Sequence, residues 1–253
     1  MNNKLRVITI NLCDEYPARK QLLLIQWINI LSKIKGDIIF LQEIQSYNLK
    51  KLTSKLNMKI LSANNNNTCV LINPYKINII DTKHIKLKTD TDKMKPIYIS
   101  CIHLDDIPSI VHHINSIPYK STEIIPLHYS VNKVLELCAT RRLPQIKKEI
   151  KTIKKYDRAI IGGDFNEPSH LDLPLKLPVS KYLKKNGFID TYRYINNDNG
   201  YTWPVGGLYK KEPKMRVDMI YTKNIKILNS KTYGGSKWIS DHKMVITDLV
   251  NKI

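Results

Sequence analysis

The spacing of apolar and polar positions along the chain predicts most of its elements. Residues 4–10 (KLRVITI) alternate and are β-branched, which predicts a first strand. Leu24, Ile28 and Leu31 recur at helical spacing, widened by Trp27, Ile30 and Ile34. A helix is therefore expected over 18–34, stopped by Gly36. The run DIIFL at 37–41 reads as a buried strand, 46–56 as a second helix and 64–67 as a short asparagine turn. Strands are expected near 68–73, 77–87 and 96–102. Pro108, Pro118 and Pro126 interrupt 104–130, where loops and short turns are expected. A helix follows over 131–155, with Pro144 suited to a fresh first turn. A strand at 158–162, a helix at 179–186 ending at Gly187, and strands near 217–222, 226–233 and 243–250 complete the chain. Strands throughout, with helices early and in the middle, predict two mixed sheets packed together with helices outside.

A length of 253 residues suits one α/β domain, taken as 1–253. Hydrophobic residues make up 42% and charged residues 25%, which is ordinary for a soluble globular protein. Apolar runs are too short to cross a membrane, and the start leads into a strand rather than a leader-like segment. The expected compartment is the cytoplasm, or a host's cytoplasm if the source is a virus. Cys13, Cys69, Cys101 and Cys138 are scattered without C-x-x-C spacing. That excludes a zinc knuckle or a dithiol redox motif and fits reduced thiols. Charge is the unusual feature, with 41 Lys+Arg against 22 Asp+Glu, net +19. Such a field attracts nucleic acid, phosphorylated small molecules or anionic membranes. An AT-rich codon pool, also rich in Ile, Asn and Tyr, accounts for part of the lysine excess. Lys147, Lys151, Lys154 and Lys155 share one helix face and read as a solvated surface.

Candidate chemistry sits where strands end. Asn11 follows the first strand, Glu43 ends IIFLQ, and His103 ends IYISCI. Asp164 and Asn166 follow AIIGG, Asp218 lies within an apolar run, and Asp241-His242 precede the last strand. Ligands of α/β folds gather at strand ends, and a charge beside a buried strand is costly unless paired or metal-bound. Each residue alone has a plain structural explanation. A histidine can be a satisfied core group, Asp218 can pair with Arg216, and Asp164-Phe165-Asn166 can be a turn. Their joint arrangement points to a site.

In order along the chain stand TIN (9–11), LQE (41–43), IHL (102–104), GGDFNEP (162–168), RVDMIY (216–221) and SDH (240–242). With these segments the chain resembles the endonuclease/exonuclease/phosphatase superfamily of metal-dependent phosphoesterases. GDFNEPSHLD, GFIDTYR and GYTW are similar to a general phosphodiesterase-like branch, more than to DNA repair or deadenylase branches. The resemblance implies an α/β fold, a four-layered α/β sandwich of two packed mixed β-sheets flanked by helices. It also implies a divalent metal, usually Mg2+, with Mn2+ as substitute. Hard oxygen donors suit that ion.

By the same resemblance Glu43 is the metal ligand, with Asn11 and Asp241 close by. Asp164 orients or deprotonates the attacking water, and Asn166 donates to a phosphate oxygen or the nucleophile. Asp218 holds His242 in one tautomer and raises its pKa, so that the imidazolium stabilises the transition state. His103 binds a second phosphate oxygen or helps protonate the leaving group. The implied substrate is a phosphodiester, nucleic acid or nucleotide. A phosphatase or phospholipid-type diesterase, a silent phosphate-binding protein and a basic nucleic-acid scaffold are the alternatives. Arg193, Tyr201 and Trp203 are candidates for substrate contact, the indole stacking on a base. The plainer reading packs Trp203 under a loop beside Pro204. Arg141 or Arg142 can reach a phosphate or pair on the helix surface. His112 and His113 form no zinc quartet and read as loop residues.

Overall fold

The computed structural model describes residues 4–13, 20–64, 68–77, 79–87, 97–104, 107–111, 131–205, 212–235 and 238–250. In chain order the elements are β1 (Lys4–Asn11), α1 (Lys20–Ile34), β2 (Ile38–Gln42), α2 (Ser46–Leu56), β3 (Lys59–Asn64) and β4 (Thr68–Ile72). Then come β5 (Ile79–Leu87), β6 (Ile97–Leu104), β7 (Ile107–Val111), α3 (Val131–Leu137), a π turn (Cys138–Arg142) and α4 (Leu143–Ile153). The last are β8 (Ala159–Asp164), α5 (Pro178–Lys185), β9 (Ile189–Asp190), α6 (Thr191–Ile195), β10 (Asp218–Lys223), β11 (Ile227–Tyr233) and β12 (Met244–Val250).

A six-stranded sheet has the order β11-β12-β1-β2-β4-β3. Strands β1 and β2 are parallel, because α1 supplies the crossover between them. The other pairs in that sheet are antiparallel. Strands β8-β10-β9 and β5-β6-β7 form two further ladders, and β7 lies alongside β8.

Successive residues of a strand point to opposite faces, and here each face finds its own core. Val7 and Phe40 of the large sheet meet Ile160 and Ile220 of the second sheet. Their chain neighbours Ile8 and Ile39 pack instead against Trp27, Leu31 and Leu52 of α1 and α2. Ile161 and Met219 meet Ile146 and Ile150 of α4 and Val179 and Leu183 of α5. Helices, sheet, sheet and helices thus form the four layers of an α/β sandwich. No helix among the described residues is long and apolar enough to cross a membrane. Among the described residues Cys13, Cys69 and Cys138 form no disulfide.

Several expectations change. Gly36 does not supply the left-handed stop of α1; Lys35 does, at φ 57°. Gly36 is needed for close approach, since a Cβ there would lie 2.6 Å from Ile8 Cδ1. Segment 104–130 is not all loop, because β7 pairs with β6 with Pro108 opposite His103. A proline is tolerated near the start of a strand, where the lost donor is not needed. The predicted long helix is interrupted by the π turn, after which α4 starts afresh at Leu143 with Pro144 in its first turn, as the sequence predicts. The wider π turn relieves the clash of a proline ring with the preceding turn. Strands β3 and β9 and helix α6 have no counterpart in the predicted elements. The 65–67 part of the asparagine turn, Pro118, Pro126, His112, His113 and the 206–207 glycines lie outside the described residues.

Candidate active site

The ends of β1, β2, β8 and β10 converge, and the candidate polar residues stand there. Asn11 is the last residue of β1 and aligns with Gln42, the last residue of β2, so Glu43 emerges beside it. Asn11 Nδ2 donates to Glu43 Oε1 at 2.8 Å and to Asp164 Oδ2 at 3.3 Å. Asn11 Oδ1 accepts the Cys13 N–H at 3.0 Å. The amide thus links two carboxylates arriving from different sheets.

Asp164 ends β8 directly opposite Asp218 at the start of β10. Two like charges across a ladder repel unless something sits between them. His242 does: its Nδ1 is 2.8 Å from Asp218 Oδ2, and its Nε2 is 3.9 Å from Asp164 Oδ2. Ligating atoms of Asp164, Asp218 and His242 all lie within 4.8 Å of one another. Burial alone would lower the His242 pKa, but the charges of Asp218 and Asp164 outweigh it and raise it well above the usual imidazole value. Nδ1–H therefore donates to Asp218. Burial, reinforced by Asp218 and Glu43, pushes the Asp164 carboxyl up to about 7 despite the opposing pull of His242.

Asp164 Oδ1 also accepts the Asn166 N–H at 2.8 Å. The Asp-Phe-Asn turn read as a plain alternative is real, and it shapes the site. Asn166 sits at φ 48°, in the left-handed region that asparagine tolerates. Its Nδ2 is buried without a hydrogen-bond partner among the described residues, as are Asp218 Oδ1 and Asp241 Oδ1. Asp241 Oδ2 accepts the Trp203 indole N–H at 3.2 Å.

Trp203 is 9% exposed, lies 6.3 Å from the His242 ring and bridges to Met215, so it packs beneath the site. Arg193 is not brought here. Its Nε meets Asp172, and its other nitrogens meet the Asp198 and Asn199 carbonyls, so its guanidinium is committed to protein partners. Arg216 does not pair with Asp218; it is fully buried against Asp190 and Asp172. Arg142 is buried, while Arg141 is exposed on the helix surface. His103 lies on β6, and its side chain is outside the described residues.

Two hydroxyls without an expected role complete the frame. Ser240 Oγ donates to the Asn11 carbonyl at 2.7 Å and accepts the His242 N–H at 3.0 Å. Thr202 Oγ1 accepts the N–H groups of Val217 and Asp218 at 3.0 and 3.1 Å. The Thr202 carbonyl accepts the Lys243 N–H at 2.7 Å, so one residue ties the backbone beside both Asp218 and His242. The only local signals were SDH and GYTW, which name the residues and not their distant partners.

The donor set is carboxylate and amide oxygen with one imidazole already held by Asp218. Buried acceptor oxygens without donors and a half-buried Glu43 fit a hard divalent ion. What the fold and this acid–imidazole arrangement define is an enzyme of phosphoester hydrolysis. The chain belongs to the Endonuclease/Exonuclease/phosphatase family, whose model matches residues 8–242. An uncharacterized Caenorhabditis elegans protein, F14F9.5, is 24% identical over 221 residues, covering 75% of this chain and 69% of its own. Among solved structures, humanized D. rerio TDP2 carrying 14 mutations has a TM-score of 0.72 at 15% identity, with 98% of this chain and 99% of that one covered. D. rerio TDP2 complexed with a single-strand DNA product has a TM-score of 0.71 at 15% identity, with 97% and 98% covered. At that identity the two structures establish a shared fold.

Proposed function

We propose that this chain is one catalytic domain that hydrolyses phosphodiester bonds with a divalent metal ion, Mg2+ first and Mn2+ as substitute. Nucleic acid or a nucleotide is the substrate class. The observation that carries the reading is the buried Asp164–His242–Asp218 row beside the Asn11–Glu43 pair at converging strand ends. Glu43 would hold the metal, with Asn11 orienting its carboxylate and Asp241 nearby through the Ser240 link to β1. The metal, when bound, polarises a phosphoryl oxygen and offsets charge as the bond breaks.

The chain's own groups do the rest. Asp164 orients the attacking water and accepts its proton, aided by a pKa of about 7, close to working pH. His242, kept as imidazolium by Asp218, donates from Nε2 to the phosphoryl oxygen. Asn166 Nδ2 offers a second donor. His103 remains the candidate for the leaving-group side. A net charge of +19 favours a polyanionic substrate, and scattered cysteines without C-x-x-C spacing fit a reducing compartment such as the cytoplasm. D. rerio TDP2, of the same fold, is described with single-strand DNA product, which favours nucleic acid over lipid.

The test is cleavage of labelled single-stranded and duplex DNA and RNA, with Mg2+ or chelator, beside Asp164→Ala and Glu43→Ala. We expect metal-dependent cleavage, with Asp164→Ala slowed about 10²–10⁴-fold, the range for loss of acid–base catalysis, and with Glu43→Ala losing the stimulation by metal. Full activity in either variant rejects the assignment. Cleavage confined to a phosphomonoester or a lipid diester would move the substrate to that class.

A further inference from the structure

Glu167 is 1% exposed and follows Asn166 directly, yet the proposed hydrolysis gives it no task. Its Oε1 accepts the Val179 N–H at 3.0 Å. Helix α5 opens with Pro178, which has no N–H, and Leu177 before it offers no side-chain cap. Val179 therefore carries the first unsatisfied donor of that helix, and Glu167 satisfies it from a separate loop. The other oxygen, Oε2, faces Arg142 Nη1 at 3.9 Å. The same nitrogen donates to Cys138 Sγ at 3.3 Å. Cys138 and Arg142 are the two ends of the π turn. Such turns recur at functional sites because the wider coil re-aims a side chain. Here Arg142 turns inward, with 9% of its side chain exposed. Burial pushes the Glu167 carboxyl up while Arg142, the Val179 N–H and the Cys138 thiol pull it down. Burial also pushes the Cys138 thiol up to about 12, so it stays protonated and able to donate.

The same loop carries Asn166 at φ 48°. On its N-terminal side the loop is fixed by Phe165 N–H to the Val217 carbonyl and by Asn166 N–H to Asp164. On its C-terminal side the nearest anchor is the Glu167 side chain. A left-handed residue persists when its surroundings determine it. A displacement of about 1 Å at a reacting group costs on the order of 10²-fold in rate.

We propose that Glu167 and Arg142 are a buried positioning pair that holds Asn166 in its left-handed turn, with its amide aimed at the phosphate. The inference rests on the proposed role of Asn166. It assigns a purpose to the π turn, whose last residue is the Arg142 that faces Glu167. It also couples α4, α5 and the catalytic loop through one carboxylate.

Two readouts on the full chain test it, one independent of catalysis. The variants are Glu167→Gln, which sets an amide NH2 against the guanidinium, and Arg142→Lys, which decides the matter should the first fail to fold. Hydrogen exchange of 165–167 and Val179 should speed about tenfold or more in either variant, while β1 and β12 keep wild-type protection. With a short diester substrate, kcat should fall about tenfold and KM stay within about twofold. Added to Asn166→Ala, Glu167→Gln should cost no more than about a further twofold, because both act through one amide. Unchanged exchange at 165–167 overturns the proposal. So does a fully multiplicative loss in the double variant, or faster exchange spread evenly over β1 and β12. If the wild type cleaves no diester, the hydrolase reading fails, and exchange alone decides whether the pair positions the loop.

Discussion

At the residue scale, Asp164 sets catalysis against stability. Its carboxyl is fully buried, faces Asp218 across the ladder and has its pKa raised to about 7. An unfolded aspartate releases its proton near pH 4. Between about pH 4 and 7 the folded state therefore holds a proton that the unfolded state has lost, and stability falls as pH rises. Removing the charge should reverse this. In the absence of metal, Asp164→Asn should be more stable than wild type at pH 8, by on the order of a few kcal/mol, and the gain should shrink towards pH 4. Asp218, the larger of the two charges that raise the His242 pKa, remains in the variant. Urea unfolding of both proteins at pH 5 and pH 8 measures the difference. An equal difference at both pH values, or a variant weaker at pH 8, would show that Asp164 is comfortably ionised in the fold. Loss of cleavage accompanying the gain is the signature of a group kept for chemistry rather than for stability.

At the element scale, packing decides what local pattern leaves open. Gly36 lies between α1 and β2, where an added Cβ would meet Ile8 Cδ1 at 2.6 Å and Ile39 Cγ1 at 2.9 Å. Both side chains belong to the core under α1 and α2, so neither has free space to yield. Gly36→Ala should cost about 1–3 kcal/mol, a Tm fall of roughly 2–12 °C for a domain of this size. Cleavage at low temperature should be unchanged, since Gly36 precedes β2 and Glu43 follows it. A thermal melt beside an activity assay checks this, and an unshifted Tm would mean the contact relaxes freely. The same logic separates what was legible from what was not. Strands β2 and β8 were readable as short runs buried on both faces, and β1, β10 and β12 by their β-branched and apolar residues despite the polar positions among them. Glu43, Asp164 and His242 stood out as polar residues at the ends of strands, and Asp218 as a charge within an apolar run. Among the described residues edge strand β3 pairs only with β4, and its Lys-Ile-Leu-Ser-Ala-Asn stretch carries no such signature. Helix α6 exists because Asp190 caps Tyr192 and Arg193 while pairing with Arg216, 26 positions away. Thr202 and Ser240 serve the site through partners 15 and 229 positions distant, which leave no periodic trace.

At the scale of the whole molecule, the sandwich puts one pole in charge of chemistry. β8 and β10 meet there at Asp164 and Asp218, and β1 and β12 are tied to the same pole through Asn11, Ser240 and His242. The outer faces of α4 and α5 are crowded with lysine: 147, 148, 151, 154 and 155 of α4 and its end, and 181, 184 and 185 of α5, are all exposed. Part of that excess is solvated surface, and part of any attraction it exerts is long-range steering. The two are separated by salt. A nucleic acid spanning four phosphates on the protein releases its counterions on binding, so log kcat/KM should fall with log salt at a slope of about −3 for a single strand. A short chromogenic diester with one phosphate carries no condensed counterions and should show a slope near zero. Steady-state rates between 50 and 200 mM salt, a span over which screening sharpens steeply, measure both slopes. Two shallow, equal slopes would place the net charge of +19 outside substrate binding and leave a small diester as the better substrate. A steep slope for the polymer alone would mean that the surface beyond the acid–imidazole row takes part in holding it.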